Sequence, residues 1–362
     1  MEHSKTQQPS IRWGVIGSGM ISSWFVSDIL KPDWPEKNAN HEVVAIGASS
    51  LEKSEQFIEK HVVPASPVTQ PTAYGSYQEV YDHPDVDCIY IGTPHSFHKQ
   101  NCLDAINAGK HVLCEKPFAM NAKEAQEVFD AAKQKGVFVM EAMWTRFYPL
   151  VKKIQHLLFV EKKLGNVYRT FCDFGLSIDI PSLPASSRYK DPALGAGSLL
   201  DIGIYSLTWG IITSTDKVGE EAEDPEVSSL QTLNHGVDTS SSVLLRYLST
   251  GKQAVCTSTT DVVGPTAFAR IEGSKGTIIV HGPAPSAPER FDFIPNDGGQ
   301  KEEYQFEKPG FGLFWEADAV AHDIMAGRKQ NATMPWAETL RVMSIMDGVR
   351  QRGGARFPVD DW

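Results

Sequence analysis

The sequence predicts an α/β protein: a doubly wound parallel sheet in the N-terminal half, then an α+β half built on a large, mostly antiparallel, open-faced sheet. Three observations carry this. A short apolar strand at 12–16 runs straight into Gly17-Ser18-Gly19-Met20-Ile21-Ser22, and a helix follows over 20–30. Short β-rich runs at 42–48, 86–91, 110–114 and 137–140 then alternate with helical stretches, which is the pattern of parallel strands joined by crossover helices. Beyond Tyr148-Pro149 the runs lengthen and are joined by turns.

In that second half, 167–176, 226–233, 242–247, 253–260, 267–272 and 277–280 read as strands of a mostly antiparallel sheet. The acidic stretch 216–225 and the Pro-rich stretch 282–287 read as surface loops. A helix from about 150 to 163 leads into this half, and helices at 313–326 and 336–351 are expected to return toward the first. The domain plan is therefore a flexible N-terminus over 1–10, a first domain over 11–148 and a second over 149–362.

At 362 residues the chain is long enough for two cores. Its 41% hydrophobic and 22% charged residues are those of an ordinary globular protein. A formal net charge of −11, with no long basic run, speaks against a nucleic-acid surface. Cys88, Cys102, Cys114, Cys172 and Cys256 have neither C-x-x-C nor metal-ligand spacing, so no disulfide scaffold and no metal site is expected. Residues 1–10 are polar, and no run of about 20 apolar residues offers a membrane span. A cytoplasmic location is the expectation. The sequon Asn331-Ala332-Thr333 reads as a chance match.

A strand, a glycine turn and a helix in that order aim backbone N–H groups at a pyrophosphate. Gly17 makes the tight turn and Gly19 permits close approach, with Ser18, Met20 and Ile21 completing the loop. Ser22 stands where a third glycine is usual. At the end of the second strand an acidic residue would clamp both ribose hydroxyls and repel a phosphate. Here stand Ser49 and Ser50, with Lys53 close behind. Hydroxyls plus a cation suit a 2′-phosphate, so NADP is favoured over NAD; the two serines also read as caps of the helix beginning near Leu51. After the fourth strand, Thr93-Pro94-His95-Ser96-Phe97-His98 lies where ligands of open α/β sheets collect. His98 also reads as a structural residue at a helix start.

The run Cys114-Glu115-Lys116-Pro117 places a lysine at a strand's carboxyl end in a nucleotide-binding half, which points to redox chemistry on an alcohol. Oxidising a hydroxyl calls for a base and for positive charge near the developing alkoxide, and Lys116 can supply that charge. Its partner is expected in Gly195-Ala196-Gly197-Ser198-Leu199-Leu200-Asp201-Ile202-Gly203-Ile204-Tyr205. On a helix from about Ser198, Asp201 and Tyr205 are four apart and share a face. A phenol is a weak acid at its reference value of about 10, but an adjacent ammonium favours the phenolate. Ordinary packing offers another account: Tyr205 a half-buried aromatic, Asp201 an ion-pair partner.

Taken together, Gly17-Ser18-Gly19, Thr93 to His98, Glu115-Lys116-Pro117 and Asp201 to Tyr205 resemble the glucose–fructose oxidoreductase/inositol dehydrogenase/MocA family across almost the whole chain. Met140 to Phe147 and Gly310 to Asp318 are similar to the dimeric dihydrodiol dehydrogenases and the fungal NADP-dependent D-xylose 1-dehydrogenases within it. The resemblance implies a Rossmann domain, an open-faced sheet used for homodimerisation, NADP as oxidant, Tyr205 as acid–base and Lys116 as its activator, and the helical spacing adds Asp201 as a further catalytic candidate. It implies a sugar or diol substrate walled by Trp144, Arg146, Phe174 and Trp315, with Glu115, Trp144 and Arg146 also on the cofactor side. Oxidation of D-xylose at its anomeric carbon is the first expectation, and a trans-dihydrodiol or another sugar the alternative. A non-catalytic dinucleotide sensor is the rival class, against which intact Lys116 and Tyr205 weigh. The segment 182–192 leaves the substrate open.

Overall fold

Residues 8–31, 34–65 and 69–362 are described by the structure, a computed structural model. The chain divides into two compact units, each discontinuous in sequence: Met1–Phe118, Gln126–Trp144 and Pro309–Asn331 in the first, Ala119–Ala125, Thr145–Lys308 and Ala332–Trp362 in the second.

In chain order the first part of the molecule runs β1 (Ser10–Ile16), α1 (Met20–Ile29), β2 (Asn40–Gly47), α2 (Leu51–Phe57), β3 (Thr72–Tyr74), α3 (Tyr77–Tyr81), β4 (Cys88–Ile91), α4 (His98–Asn107), β5 (His111–Glu115), α5 (Ala122–Lys135) and β6 (Val139–Ala142). The six strands form one parallel sheet ordered β3-β2-β1-β4-β5-β6. Every residue of β4 and β6 is buried, as expected where helices cover both faces of a parallel sheet. Strand order reverses between β1 and β4, and open α/β sheets bind ligands at the carboxyl ends flanking that point.

The stretch 309–331 belongs to this unit because buried polar groups tie it there. Asp28 on α1 accepts the backbone N–H groups of Phe311 and Leu313 at 3.0 and 2.9 Å. Trp13 Nε1 donates to His41 Nδ1 at 3.0 Å, which leaves the proton on Nε2 to meet Asp318 Oδ1 at 2.8 Å.

The second unit begins with α6 (Pro149–Gln155), β7 (Val167–Gly175) and α7 (Ile204–Ser214). It continues with β8 (Glu226–Asn234), β9 (Val237–Arg246), β10 (Gln253–Thr259), β11 (Ala269–Gly273), β12 (Gly276–His281), β13 (Arg290–Pro295) and β14 (Glu302–Gln305). The helix α8 (Phe314–Met325) lies in the first unit's last stretch, and α9 (Trp336–Gly353) closes the second. The sheet order is β14-β13-β12-β11-β7-β10-β9-β8, antiparallel except where β7 meets β10. Its register puts Leu245, Ala254, Thr170, Ile271, Ile278 and Phe293 in one row, nearly all of it inaccessible to solvent. The helix α7 packs on this face against β7 and β10. One residue along, Leu244, Val255, Phe171, Arg270 and Ile279 form a row on the other face, and Leu244 is 40% exposed.

Three strands were not anticipated. At three residues, β3 is too short to show a period, β13 ends in proline, and β14 is a polar edge strand. The stretch Pro192–Ser214 has the length and apolarity to cross a membrane, but 94% of its apolar window is buried inside the protein, the mark of a core helix.

Candidate functional site

Close backbone approaches build the turn between β1 and α1. Gly17 has φ +88°, and a Cβ there would lie 2.9 Å from the backbone of Gly92. Its N–H bonds the Gly47 carbonyl at 3.0 Å, while the Gly92 N–H bonds that of Ile16 at 3.0 Å. A Cβ on Gly92 would in turn meet the hydroxyl of Ser22. The serine at the third motif position is therefore fully buried and seated on Gly92, so a small residue serves there as glycine would. Gly19 begins α1 with no side-chain cap and no acidic residue in the first turn, and Ser18, Gly19 and Met20 are exposed. A helix start in that condition suits an anion. Ile21 is half-buried behind it.

At the end of β2, Ser50 caps α2 by accepting the Lys53 N–H at 3.3 Å, and the Lys53 ammonium donates to Ser49 Oγ at 2.8 Å. Both readings of this turn are thus compatible: Ser50 caps, while Ser49 and Lys53 are exposed as a hydroxyl–cation pair. No acidic residue stands at the strand end itself. These residues fit a dinucleotide carrying a 2′-phosphate.

After β4, Thr93 Oγ1 accepts from Asn101 at 2.9 Å. Pro94 sets the turn at φ −62°, and His95 is buried beyond it. His98 is fully buried, with its ring nitrogens 2.9 and 2.8 Å from the carbonyls of Pro117 and Thr93. Burial lowers its pKa to about 4. Lying between those two carbonyls, His98 joins the turns at Thr93 and Pro117, the structural role that the sequence also offers it.

Lys116 is half-buried and follows β5 directly, and its peptide bond to Pro117 is cis. Glu115 faces inward: Tyr90 donates to its Oε1 at 2.6 Å, and the Lys116 backbone N–H reaches its Oε2 at 3.3 Å. Burial raises the Glu115 carboxyl to about 7, against the pull of Tyr90 and Lys116. Two more buried carboxyls share this core. Glu141 Oε1 accepts the Phe118 N–H at 3.1 Å, and Glu316 has no hydrogen-bond partner on either oxygen among the described residues. Burial, then Glu115 and Glu141, push the Glu316 carboxyl well above its usual range. Carboxyls that crowd together in the dry interior cannot all ionise. Sequence reading found Glu115 but not this group, whose members are far apart in the chain.

In the second unit, Asp201 and Tyr205 stand on a continuous helical run, but its first turn, Leu199–Gly203, is π-helical rather than α-helical. Such turns recur at functional sites. Asp238, 1% exposed, anchors the start: its Oδ2 accepts from Ser198 Oγ at 2.7 Å, Leu199 N at 2.8 Å and Ser241 Oγ at 2.9 Å. Gly197, at φ +136°, leaves room for that carboxylate, which a Cβ would strike. Farther along, Ser206 Oγ donates to the Thr257 carbonyl at 2.8 Å, and Gly210 lets α7 close on Ala254 and Cys256. The Tyr205 ring is 5.9 Å from that of Phe174 and 4% exposed. Asp201 pairs with Arg188 at 2.6 Å. Neither Asp238 nor Arg188 was picked out from the sequence.

Of the expected pocket walls, Arg146 is the most fully buried. It is 3% exposed and bonds Glu338 at 2.8 Å and the Thr333 carbonyl at 3.2 Å, which makes it a buried, paired cation. Trp315 is 9% exposed, its indole N–H held by Glu36 at 3.0 Å. The Trp144 ring is 6.5 Å from that of Trp24, which itself stacks on Phe311 at 4.6 Å.

Comparison with known proteins returns two family models. One, an oxidoreductase family with an NAD-binding Rossmann fold, matches residues 11–143, and the other, the GFO/IDH/MocA C-terminal domain, matches 153–279. The chain is 32% identical to D-xylose 1-dehydrogenase (NADP(+)) of Hypocrea jecorina, over 96% of this chain and 93% of that one. It is 35% identical to trans-1,2-dihydrobenzene-1,2-diol dehydrogenase of Xenopus tropicalis, over 96% and 99%. Aldose-aldose oxidoreductase from Caulobacter crescentus has the same fold, with a TM-score of 0.78 at 23% identity over 94% of this chain and 97% of that one.

Proposed function

Because the chain belongs to the GFO/IDH/MocA oxidoreductase family, we propose that it is an NADP-dependent dehydrogenase oxidising the anomeric hydroxyl of a pyranose, D-xylose to D-xylonolactone. The observation that carries the cofactor choice is the Ser49–Lys53 pair at the end of β2, where a hydroxyl and an ammonium replace the acidic ribose clamp. The uncapped start of α1 and the loop from Gly17 to Ile21 would hold the pyrophosphate. Thr93, Pro94 and His95 would border the nicotinamide side.

When bound, NADP supplies the hydride acceptor. Tyr205, as phenolate, takes the proton of the reacting hydroxyl, and Lys116 is the cation that favours the phenolate. Asp201 accepts a hydrogen bond from the substrate, and Phe174 offers an aromatic face to the apolar side of a sugar ring. The name of the Xenopus tropicalis relative supports a second reading, oxidation of a trans-dihydrodiol. In either reading the protein works in the cytoplasm as a homodimer joined through the open face of the second unit's sheet.

A panel of aldopentoses, aldohexoses and trans-dihydrodiols, offered with NADP and with NAD and followed by absorbance of the reduced cofactor, tests the proposal. D-xylose with NADP should give the highest kcat/KM and a lactone product. Preference for a trans-dihydrodiol would install the second reading, and no turnover of any member would leave the non-catalytic sensor.

A further inference from the structure

The stretch between β7 and the Tyr205 helix is ordered by its own side chains. Lys190 Nζ donates to the carbonyls of Pro181 and Leu183, each at 3.1 Å, and the backbone N–H groups of Lys190 and Asp191 both reach the Ser187 carbonyl at 2.9 Å. Asp191 then caps the turn Pro192–Leu194 through the Ala193 N–H at 2.9 Å. This self-tied loop presents Arg188. Its guanidinium lies 4.8 Å from the Tyr189 ring centroid and 2.6 Å from Asp201 Oδ1.

The two partners are not equally exposed. Arg188 is 46% exposed at its side chain, Asp201 only 14%. A half-exposed pair adds little to stability. The Asp201 bond engages one arm of a fork that carries five N–H donors, so others remain on the exposed side. Burial works against the Arg188 charge, but Asp201 outweighs it, so the cation persists and balances the carboxylate. The result is an acceptor and several donors side by side with no net charge, one helical turn before Tyr205.

We infer that Arg188 is a specificity-determining residue: together with Asp201 it forms a neutral donor-and-acceptor edge that selects uncharged vicinal diols, one hydroxyl donating to the carboxylate and its neighbour accepting from the guanidinium. This rests on the proposed placement of substrate at Asp201 and Tyr205. A vicinal diol is common to pyranoses and trans-dihydrodiols, so one edge recognises both. An anionic substrate would meet no net cation at this edge, because Asp201 already balances the Arg188 charge.

The test compares D-xylose with a series of monodeoxy pentoses on wild type, Arg188→Met and Arg188→Lys. Thermal unfolding and NADP titration establish that each variant is folded. In wild type, at least one deoxy sugar should lose about tenfold or more in kcat/KM, the worth of a hydrogen bond to a charged group. In Arg188→Met that penalty should shrink to within about twofold, and Arg188→Lys should restore part of it. A residue that only braced the loop would slow all sugars alike. An active wild type whose penalty survives unchanged in Arg188→Met, or which penalises no deoxy sugar, overturns the role of Arg188. A wild type inactive on every pentose overturns the sugar reading beneath it.

Discussion

Asp238 Oδ2 accepts the backbone N–H of Leu199 at 2.8 Å, so a carboxylate on β9 caps the helical run that carries Asp201 and Tyr205. Ser198 and Ser241 converge on the same oxygen, and burial holds the Asp238 pKa above its usual range in spite of them. Truncation would remove the acceptor shared by two buried hydroxyls and a helix N–H. Asp238→Ala should therefore lower the unfolding free energy by about 2–4 kcal/mol, whereas Asp238→Asn, which keeps an accepting oxygen, should cost less than half as much. Urea titration measures both, and equal losses in the two variants would contradict the capping role.

The nucleotide turn offers a sharper change of behaviour. Ser49→Asp should repel a 2′-phosphate and pair with Lys53, shifting the ratio of kcat/KM for NADP over NAD by at least about tenfold toward NAD. Should that ratio stay put, the phosphate lies elsewhere.

The buried carboxyls predict a pH dependence of stability. Glu115 is raised from 4.5 to about 7 in the folded protein. Between those values the folded state holds a proton that the unfolded chain releases, so the contribution present below about 4.5 is lost as pH rises through about 7. Replacing the group by a neutral amide removes this slope. Across that window the melting temperature of wild type should fall more steeply than that of Glu115→Gln. Parallel curves would show that Glu115 is not the titrating group.

The open face of the second sheet predicts association. Leu244 and Leu230 are 40% and 80% exposed on a face where Arg270 lies 4.6 Å over the Phe171 ring. A homodimer is expected at micromolar concentration, and Leu244→Glu with Leu230→Glu should weaken it by about tenfold or more. Light scattering over a dilution series reads this directly. A fully active monomer at micromolar concentration would refute the pairing.

Much of this was legible from local pattern. The strand–Gly17–Gly19–α1 sequence, the Ser49–Ser50–Lys53 turn and the Asp201–Tyr205 spacing each depend on residues a few positions apart, and each has a physical signature at that range. What stayed hidden depends on long-range closure. Asp238 meets Leu199 across 39 residues, and Arg146 meets Glu338 across 192. No short window shows that Arg146 pairs with Glu338. The π-helical turn before α7 was equally invisible, because apolar spacing at i and i+4 is nearly the same on either helix.

The most direct measurement is the rate of NADPH formation by Tyr205→Phe and Lys116→Met beside wild type, with cofactor affinity measured by titration in the same preparations. The phenylalanine variant lacks only a hydroxyl, so NADP should bind within about twofold while kcat falls by about 10²-fold or more. Lys116→Met should fall at least as far, with the pH–rate profile of any residual activity displaced upward because a phenolate without its cation forms at higher pH. Turnover by Tyr205→Phe at the wild-type rate would contradict the account at its centre.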